Sequence, residues 1–307
     1  MNRPKGVTGQ PCPIMKKVRT TAGVAALIMG SALCPSAHAI DVDAGDYTAL
    51  PAGTNLGLLY YQNATRKELY ANGNKVPINP RLDSDVGILR AVHFMDIGGY
   101  IVDPQFLLPF GSLKAKDGIA ALGSASGTGD LILASTVWLV NQPKTDTYFG
   151  ITPFLFVPTG SYDKNKALNL GENRWKFALQ AGYITGLSDR VSLDLIADVT
   201  TYGNNNQFGA TSQTMKQDLS YQYQAYLRYK VLPTWDLRFG VSHANGGETT
   251  VNGVASNDRT RTTKFSIGTA WFAAPTVQLM ANYGRDSSVE NGFKEGNRLN
   301  LRVLKIF

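Results

Sequence analysis

Between Ser220 and Val231 the chain alternates with a period of two. Tyr221, Tyr223, Ala225, Leu227, Tyr229 and Val231 share one parity, and Gln222, Gln224, Arg228 and Lys230 share the other. Successive side chains of a strand point to opposite faces, so this segment has one apolar wall and one wet wall; a helix would scatter the same residues around its circumference. Only Tyr226 blurs the division. The pattern repeats in Val191, Leu193, Leu195, Ala197 and Val199 against Ser192, Asp194, Asp198 and Thr200, and in Trp175, Phe177, Leu179, Ala181 and Tyr183 against Lys176 and Gln180. It recurs at 264–271 and 277–283.

No continuous apolar run after Ala39 reaches the roughly 20 residues that a membrane-spanning helix needs. Strands can cross lipid only as a closed barrel, in which every backbone polar group is paired, and the signature of such a barrel is weak alternation over about ten residues per strand. Segments near 53–62, 84–95, 100–110, 128–141, 147–160, 173–184, 190–203, 216–231, 235–247, 260–272, 276–287 and 296–307 fit, giving about twelve strands. Tight connections at 96–99, 141–146, 186–189, 232–234 and 273–275 alternate with longer ones near 63–83, 111–127, 161–172, 204–215, 248–259 and 288–295. Short periplasmic turns and long outer loops produce that rhythm, with both termini periplasmic. The expected fold is all-β, a transmembrane antiparallel up-and-down barrel over residues 53–307; the competing fold is a soluble β-sandwich with irregular loops.

Residues 1–39 read as a cleaved signal peptide. Lys16, Lys17 and Arg19 precede an apolar stretch from Ala22 to Leu33, and Ala37-His38-Ala39 is the small-x-small pattern cut by a signal peptidase. Nothing before Met15 resembles a leader, which makes Met15 the expected initiator. Leu33 and Pro35 around Cys34 fit a lipoprotein signal poorly. Of the formal net charge of +7, five charges (Arg3, Lys5, Lys16, Lys17, Arg19) lie in the leader, leaving +2, so the basic balance is no argument for nucleic-acid binding. Both cysteines, Cys12 and Cys34, are also in the leader, which excludes a disulfide framework or a cysteine nucleophile after cleavage. Residues 40–52 are expected as a short periplasmic segment, and the location as the outer membrane of a Gram-negative bacterium.

The last strand carries Leu299, Leu301, Val303 and the terminal Phe307 on one face, suited to recognition by the outer-membrane assembly machinery. Lys305 interrupts that face, and near a strand end it can snorkel to the interface. Trp175, Tyr183, Tyr202, Tyr221, Trp235, Trp271 and Tyr283 fall near strand ends, as an aromatic girdle requires. Membrane lipid and lipopolysaccharide are therefore expected partners, together with a small solute.

If the apolar walls face lipid, the interior is lined by Arg90, Lys176, Arg228, Lys230, Arg238, Lys264, Arg298 and Arg302 with Asp103, Asp130, Asp194, Asp198 and Asp236. Such mixed charges pair across strands and shape the lumen more often than they bind a solute. The basic excess would favour anions modestly. Around 87–95 and 148–157 both faces carry apolar residues, including Phe94, Phe149, Pro153, Phe154 and Phe156. This fits either an apolar route for hydrophobic solutes or a lumen plugged by side chains or by the segment Asp41 to Leu50.

An outer-membrane hydrolase needs a nucleophile, a base and an orienting group in reach. After the leader only His93 and His243 offer imidazoles, at opposite ends of the barrel, with no Gly-x-Ser-x-Gly or His-Glu-x-x-His pattern. Asp194 and Asp198 are spaced as lumen polarity. No catalytic residue, metal site or cofactor is expected. A structural or adhesive barrel acting through its loops, such as 63–83, is the remaining alternative.

Gly129-Asp130-Leu131 opens one strand, Pro158-Thr159-Gly160-Ser161-Tyr162-Asp163 ends the next, and Gly171-Glu172-Asn173-Arg174-Trp175 opens the one after. Read together, these resemble the outer-membrane transporter family labelled as the MetA-pathway of phenol degradation, from about Leu50 to Phe307. The resemblance implies a barrel that passively admits hydrophobic or aromatic compounds. Taken alone, Pro158-Thr159-Gly160 reads as a strand end at the rim.

Overall fold

The computed structural model describes residues 41–307. The expected leader, with Cys12, Cys34, Met15 and the cleavage site, lies outside the described residues. Twelve antiparallel strands form the barrel: β1 (Asn55–Ala71), β2 (Pro80–His93), β3 (Tyr100–Asp117), β4 (Leu131–Gln142), β5 (Thr147–Val157) and β6 (Lys176–Gly186), then β7 (Val191–Tyr202), β8 (Ser220–Leu232), β9 (Trp235–Asn245), β10 (Arg261–Ala274), β11 (Val277–Val289) and β12 (Gly292–Ile306). Each pairs with its sequence neighbour, and β12 closes on β1 with Leu56 opposite Ile306 and Tyr60 opposite Arg302. Closure leaves no free edge, which is the condition for β structure in hydrocarbon.

The outward parity carries the apolar wall. In β8, Tyr221, Tyr223, Leu227 and Tyr229 are exposed while Gln222, Gln224 and Arg228 are buried. Trp235 and Trp271 are register partners near the short turns, and Trp175, Tyr183, Tyr221 and Tyr283 also face outward. Tyr202 corrects the expected girdle. It shares the inward parity of Asp198 and Thr200, its hydroxyl bonds Ser220 Oγ at 2.8 Å, and the Arg174 guanidinium lies 4.5 Å from its ring centre. Lys305 stays on the lipid face and reaches Thr276 Oγ1 at 2.7 Å, the snorkelling its strand-end position allows.

Several connections expected to be loops are strand. β1 runs 17 residues, a contour of about 58 Å at ~3.4 Å per residue, where a crossing needs only about 9–11. β11 and β12 turn through Glu290 and Asn291 alone. Beyond the membrane both walls face water, so no alternation marks these extensions. Over the long-loop end, Asn205–Phe208, Gln213–Gln217, Thr249–Val251 and Val254–Ala255 form a separate four-stranded sheet.

Candidate functional site

Of residues 40–52, expected as a short periplasmic segment or, over Asp41 to Leu50, as a plug of the lumen, the chain from Asp41 to Leu50 lies inside the barrel. Its polar groups are bonded to the wall on several sides. Gly45 N–H donates to Asp194 Oδ2 at 2.6 Å, and Arg238 donates to Ala44 O at 2.7 Å. Tyr226 hydroxyl donates to Val42 O at 2.8 Å, which explains the one residue that blurred the wet wall of β8. Across the lumen, Arg302 Nη1 reaches Asp43 Oδ2 at 3.1 Å and Asp46 Oδ1 at 2.9 Å, while Arg90 Nη1 reaches Asp46 Oδ2 at 2.9 Å. Arg298 and Lys264 pair with Asp41 at 3.1 and 3.4 Å. Alternation along the chain could not place these contacts, because the segment has no period and its partners lie 44 to 259 residues away.

Tyr47 sets the segment's height in the barrel. Its hydroxyl bonds Thr152 Oγ1 at 2.9 Å and donates to Gln180 Oε1 at 3.0 Å, and Trp138 Nε1 donates to Tyr47 O at 2.8 Å. Gly150 and Gly182, register partners on the inward wall, leave the slot for its ring. Around it pack Leu58, Tyr60, Val92, Phe94, Trp138 and Ile196; Phe94 and Trp138 stack with centroids 5.5 Å apart. The apolar residues read on both faces of the early strands thus pack against this segment. Phe154 and Phe156 face inward, beside Ala178, while Pro153 faces outward.

The segment separates two cavities. One, of ≈ 120 Å³, lies among Asp41, Tyr60, Ile88, Leu107, Phe154 and Tyr226. The other, of ≈ 250 Å³, lies toward the short turns among Leu50, Leu56, Leu58, Phe94, Phe272 and Ile306.

The three sequence motifs converge at the long-loop end. Asp130 accepts Gly160 N–H and Glu172 N–H, each at 3.0 Å, and Thr159 Oγ1 accepts Leu131 N–H at 3.2 Å. The backbone of Gly160 sits so close that a Cβ would fall 2.7 Å from both Gly129 C and Gly171 Cα. Glu172 bridges Lys176 and Arg174, the latter at 2.6 Å. Burial pushes its carboxyl up, but Lys176 and Arg174 outweigh it and hold it at about 2. Beneath the loop, Leu168 is fully buried with Leu82, Leu113, Ile119 and Ala125, forming an apolar cap.

Of the thirteen residues expected to line the wall, twelve lie on barrel strands with buried or half-buried side chains, while Asp130 precedes β4 and binds the rim loop instead. Besides the pairs above, Arg228 meets Asp194 at 3.0 Å, Arg238 meets Asp236 at 2.5 Å, and Lys230 meets Asp146 at 3.3 Å. Asp103 accepts Thr136 N–H at 2.5 Å. Sequence reasoning missed Tyr47, Thr152, Gln180 and Trp138; the available signals were Tyr226 and the glycines at 150 and 182, both anomalous on a wet wall. His93 Nδ1 pairs with Asn55 Oδ1 at 2.8 Å near a short turn, and His243 lies on the outward face with Thr263 Oγ1 at 2.9 Å. They share no site with each other.

A family model described as "Putative MetA-pathway of phenol degradation" matches residues 65–303. Among solved structures, the chain is similar to the COG4313 outer membrane channel from Pseudomonas putida F1, at 43% identity over 87% of this chain and 100% of that one, with a TM-score of 0.84. The β domain of the Bordetella autotransporter BrkA is similar in fold alone, at 9% identity over 84% of this chain and 100% of that one, with a TM-score of 0.53. No curated protein matches.

Proposed function

This chain belongs to the family of the MetA-pathway of phenol degradation, and from that premise we propose that it is a passive outer-membrane channel for small apolar and aromatic solutes. The observation that carries the reading is the ≈ 250 Å³ cavity walled by Leu50, Leu56, Leu58, Phe94, Phe272 and Ile306. A cavity of about 150 Å³ is large enough for benzene, so one aromatic ring fits by volume against the apolar side of this one. Much of the rest of its lining is polar and mostly charged, with Asp46, Arg90, Asp103, Arg228, Asp236, Arg238, Gln278 and Arg302, and Arg238 or Gln278 would orient a phenolic hydroxyl.

A wide aqueous porin is the poorer reading, because the segment 41–50 bridges the lumen. The lining charges work as pairs that hold this segment and the shape of the wall, which leaves the basic excess little field with which to select anions. Small solutes pass by way of the cavities on either side, and the segment is the element that must yield.

The test is accumulation of a radiolabelled monoaromatic hydrocarbon by porin-deficient cells expressing the protein. Leu56→Asp, which puts a carboxylate into the apolar cavity, is expected to cut uptake several-fold while the folded barrel still shows its heat-dependent gel shift. Equal uptake by the variant and the wild type overturns the route.

A further inference from the structure

On its lipid side the barrel wall is not flat. A groove of ≈ 850 Å³ crosses the outward faces of β10 to β12 and β1 to β3, walled by Leu59, Tyr61, Phe110, Trp271, Leu279 and Val303, with Asp85 and Ser112 at its long-loop end. It is sunk because short side chains stand among tall ones. Thr269 and Ala281 are register partners, and Gly87, opposite Tyr61, lies under the Phe110 ring.

Two cations face outward just beyond the long-loop end of this groove. Lys114 is the next outward residue after Ser112 on β3, and Arg285 is the second beyond Ala281 on β11; both are exposed. Among the described residues neither makes an ion pair, whereas Arg81 and Lys116, beside Lys114, share Asp83 at 3.1 and 2.7 Å. Four interstrand spacings, about 19 Å along the wall, separate Lys114 from Arg285, so the two flank the groove. Between them the wall turns polar at Asp85, whose Oδ1 accepts Tyr61 hydroxyl at 2.7 Å and Asn63 Nδ2 at 2.8 Å.

A sunk strip in a lipid-facing wall loses its dispersion contacts unless a chain lies in it. A cation without an acid partner, placed where the wall passes from apolar to polar, sits in the headgroup layer and attracts an anionic headgroup; Arg matches phosphate with its fork and Lys as a point charge. The long-loop end faces the outer leaflet. A lipid with several acyl chains and two separated phosphates suits two separated cations over one apolar groove.

We propose that this groove is a lipopolysaccharide site, in which an acyl chain of lipid A lies over Thr269, Ala281 and Gly87 and its phosphates meet Arg285 and Lys114. The site is on the outside of the barrel and is independent of the solute route through the lumen.

The test uses protein extracted from outer membranes and stripped of lipid by detergent exchange. It is titrated with rough lipopolysaccharide, and binding is read by native mass spectrometry. The expected result is a single lipopolysaccharide retained per barrel, with binding about tenfold weaker when Lys114→Ala and Arg285→Ala are combined. Ala281→Trp, which fills the groove and leaves both cations, is expected to weaken binding several-fold, and each variant keeps the heat-dependent gel shift of the folded barrel. Phosphatidylglycerol, and lipid A stripped of both phosphates, are expected to bind about tenfold more weakly than lipopolysaccharide. Wild-type affinity in either variant, or equal binding of phosphatidylglycerol or of the dephosphorylated lipid, overturns the site.

Discussion

The ring of Tyr47 occupies the space that a side chain at Gly182 would take: a Cβ built there falls 2.2 Å from a ring carbon. Gly182→Ala therefore has to move Tyr47 off Thr152 and Gln180. Overpacking of this kind costs about 1–3 kcal/mol. The expected outcome is higher conductance in planar bilayers and faster amide exchange over 44–49, with exchange of the barrel strands unchanged. Wild-type conductance and exchange would show that this contact does not seat the segment.

Arg302 holds two carboxylates of the segment with one nitrogen, Asp43 at 3.1 Å and Asp46 at 2.9 Å. Removing a buried cation leaves its anions uncompensated, so Arg302→Gln is expected to loosen the segment more than Asp46→Asn does. Groups in one network couple by roughly 0.5–3 kcal/mol. A double-mutant cycle read by amide exchange over 43–47 should be clearly non-additive; strict additivity would mean that the two groups act separately.

Glu172 supplies a pH dependence with a definite sign. Its carboxyl is held at about 2, below the ordinary 4.5, by Lys176 and Arg174 against the opposing effect of burial. A lowered folded pKa contributes stability that is fully present above about 4.5 and is lost as pH falls through about 2. Amide protection over 168–172 should therefore hold from neutral pH down to the ordinary carboxylate range and decline below it. Glu172→Gln should be less protected throughout, without that decline. An equal decline in both proteins would assign the effect to other groups.

Asp130 closes the rim with its side chain, accepting from Gly160 and Glu172 at 3.0 Å each. Hydrogen bonds to a charged group contribute about 1.5–3 kcal/mol. Asp130→Ala is expected to release the loop above Leu168, so that trypsin added to intact cells cuts after the exposed Lys164 or Lys166 several-fold faster than in the wild type. An unchanged cleavage rate would place the loop's anchorage in the apolar cap instead.

The barrel was legible in the chain because its signal is local. Parity along one strand is set by neighbouring residues, and it sorted the lipid wall, the wet wall and the closing strand ending at Phe307 without reference to any distant contact. The same parity put Arg90, Asp194 and Arg302 on the inner wall, while Asp130, off the strands, went to the rim. It failed where both walls face water, as in the outer half of β1, and at Tyr202, where a strand-end aromatic was read by type when its parity pointed inward.

The filling of the lumen was decided only by tertiary structure. Asp41 to Leu50 carries no period, and its partners, such as Asp194, Arg238 and Arg302, are 149 to 259 residues away. Which acid meets which guanidinium depends on the register of twelve strands and on their closure, a global condition that no local pattern encodes. Tyr226 showed in the sequence only as a misfit on a polar face, and Gly150 and Gly182 carried no signal read there; the fold made them the contact and the space that hold a buried segment.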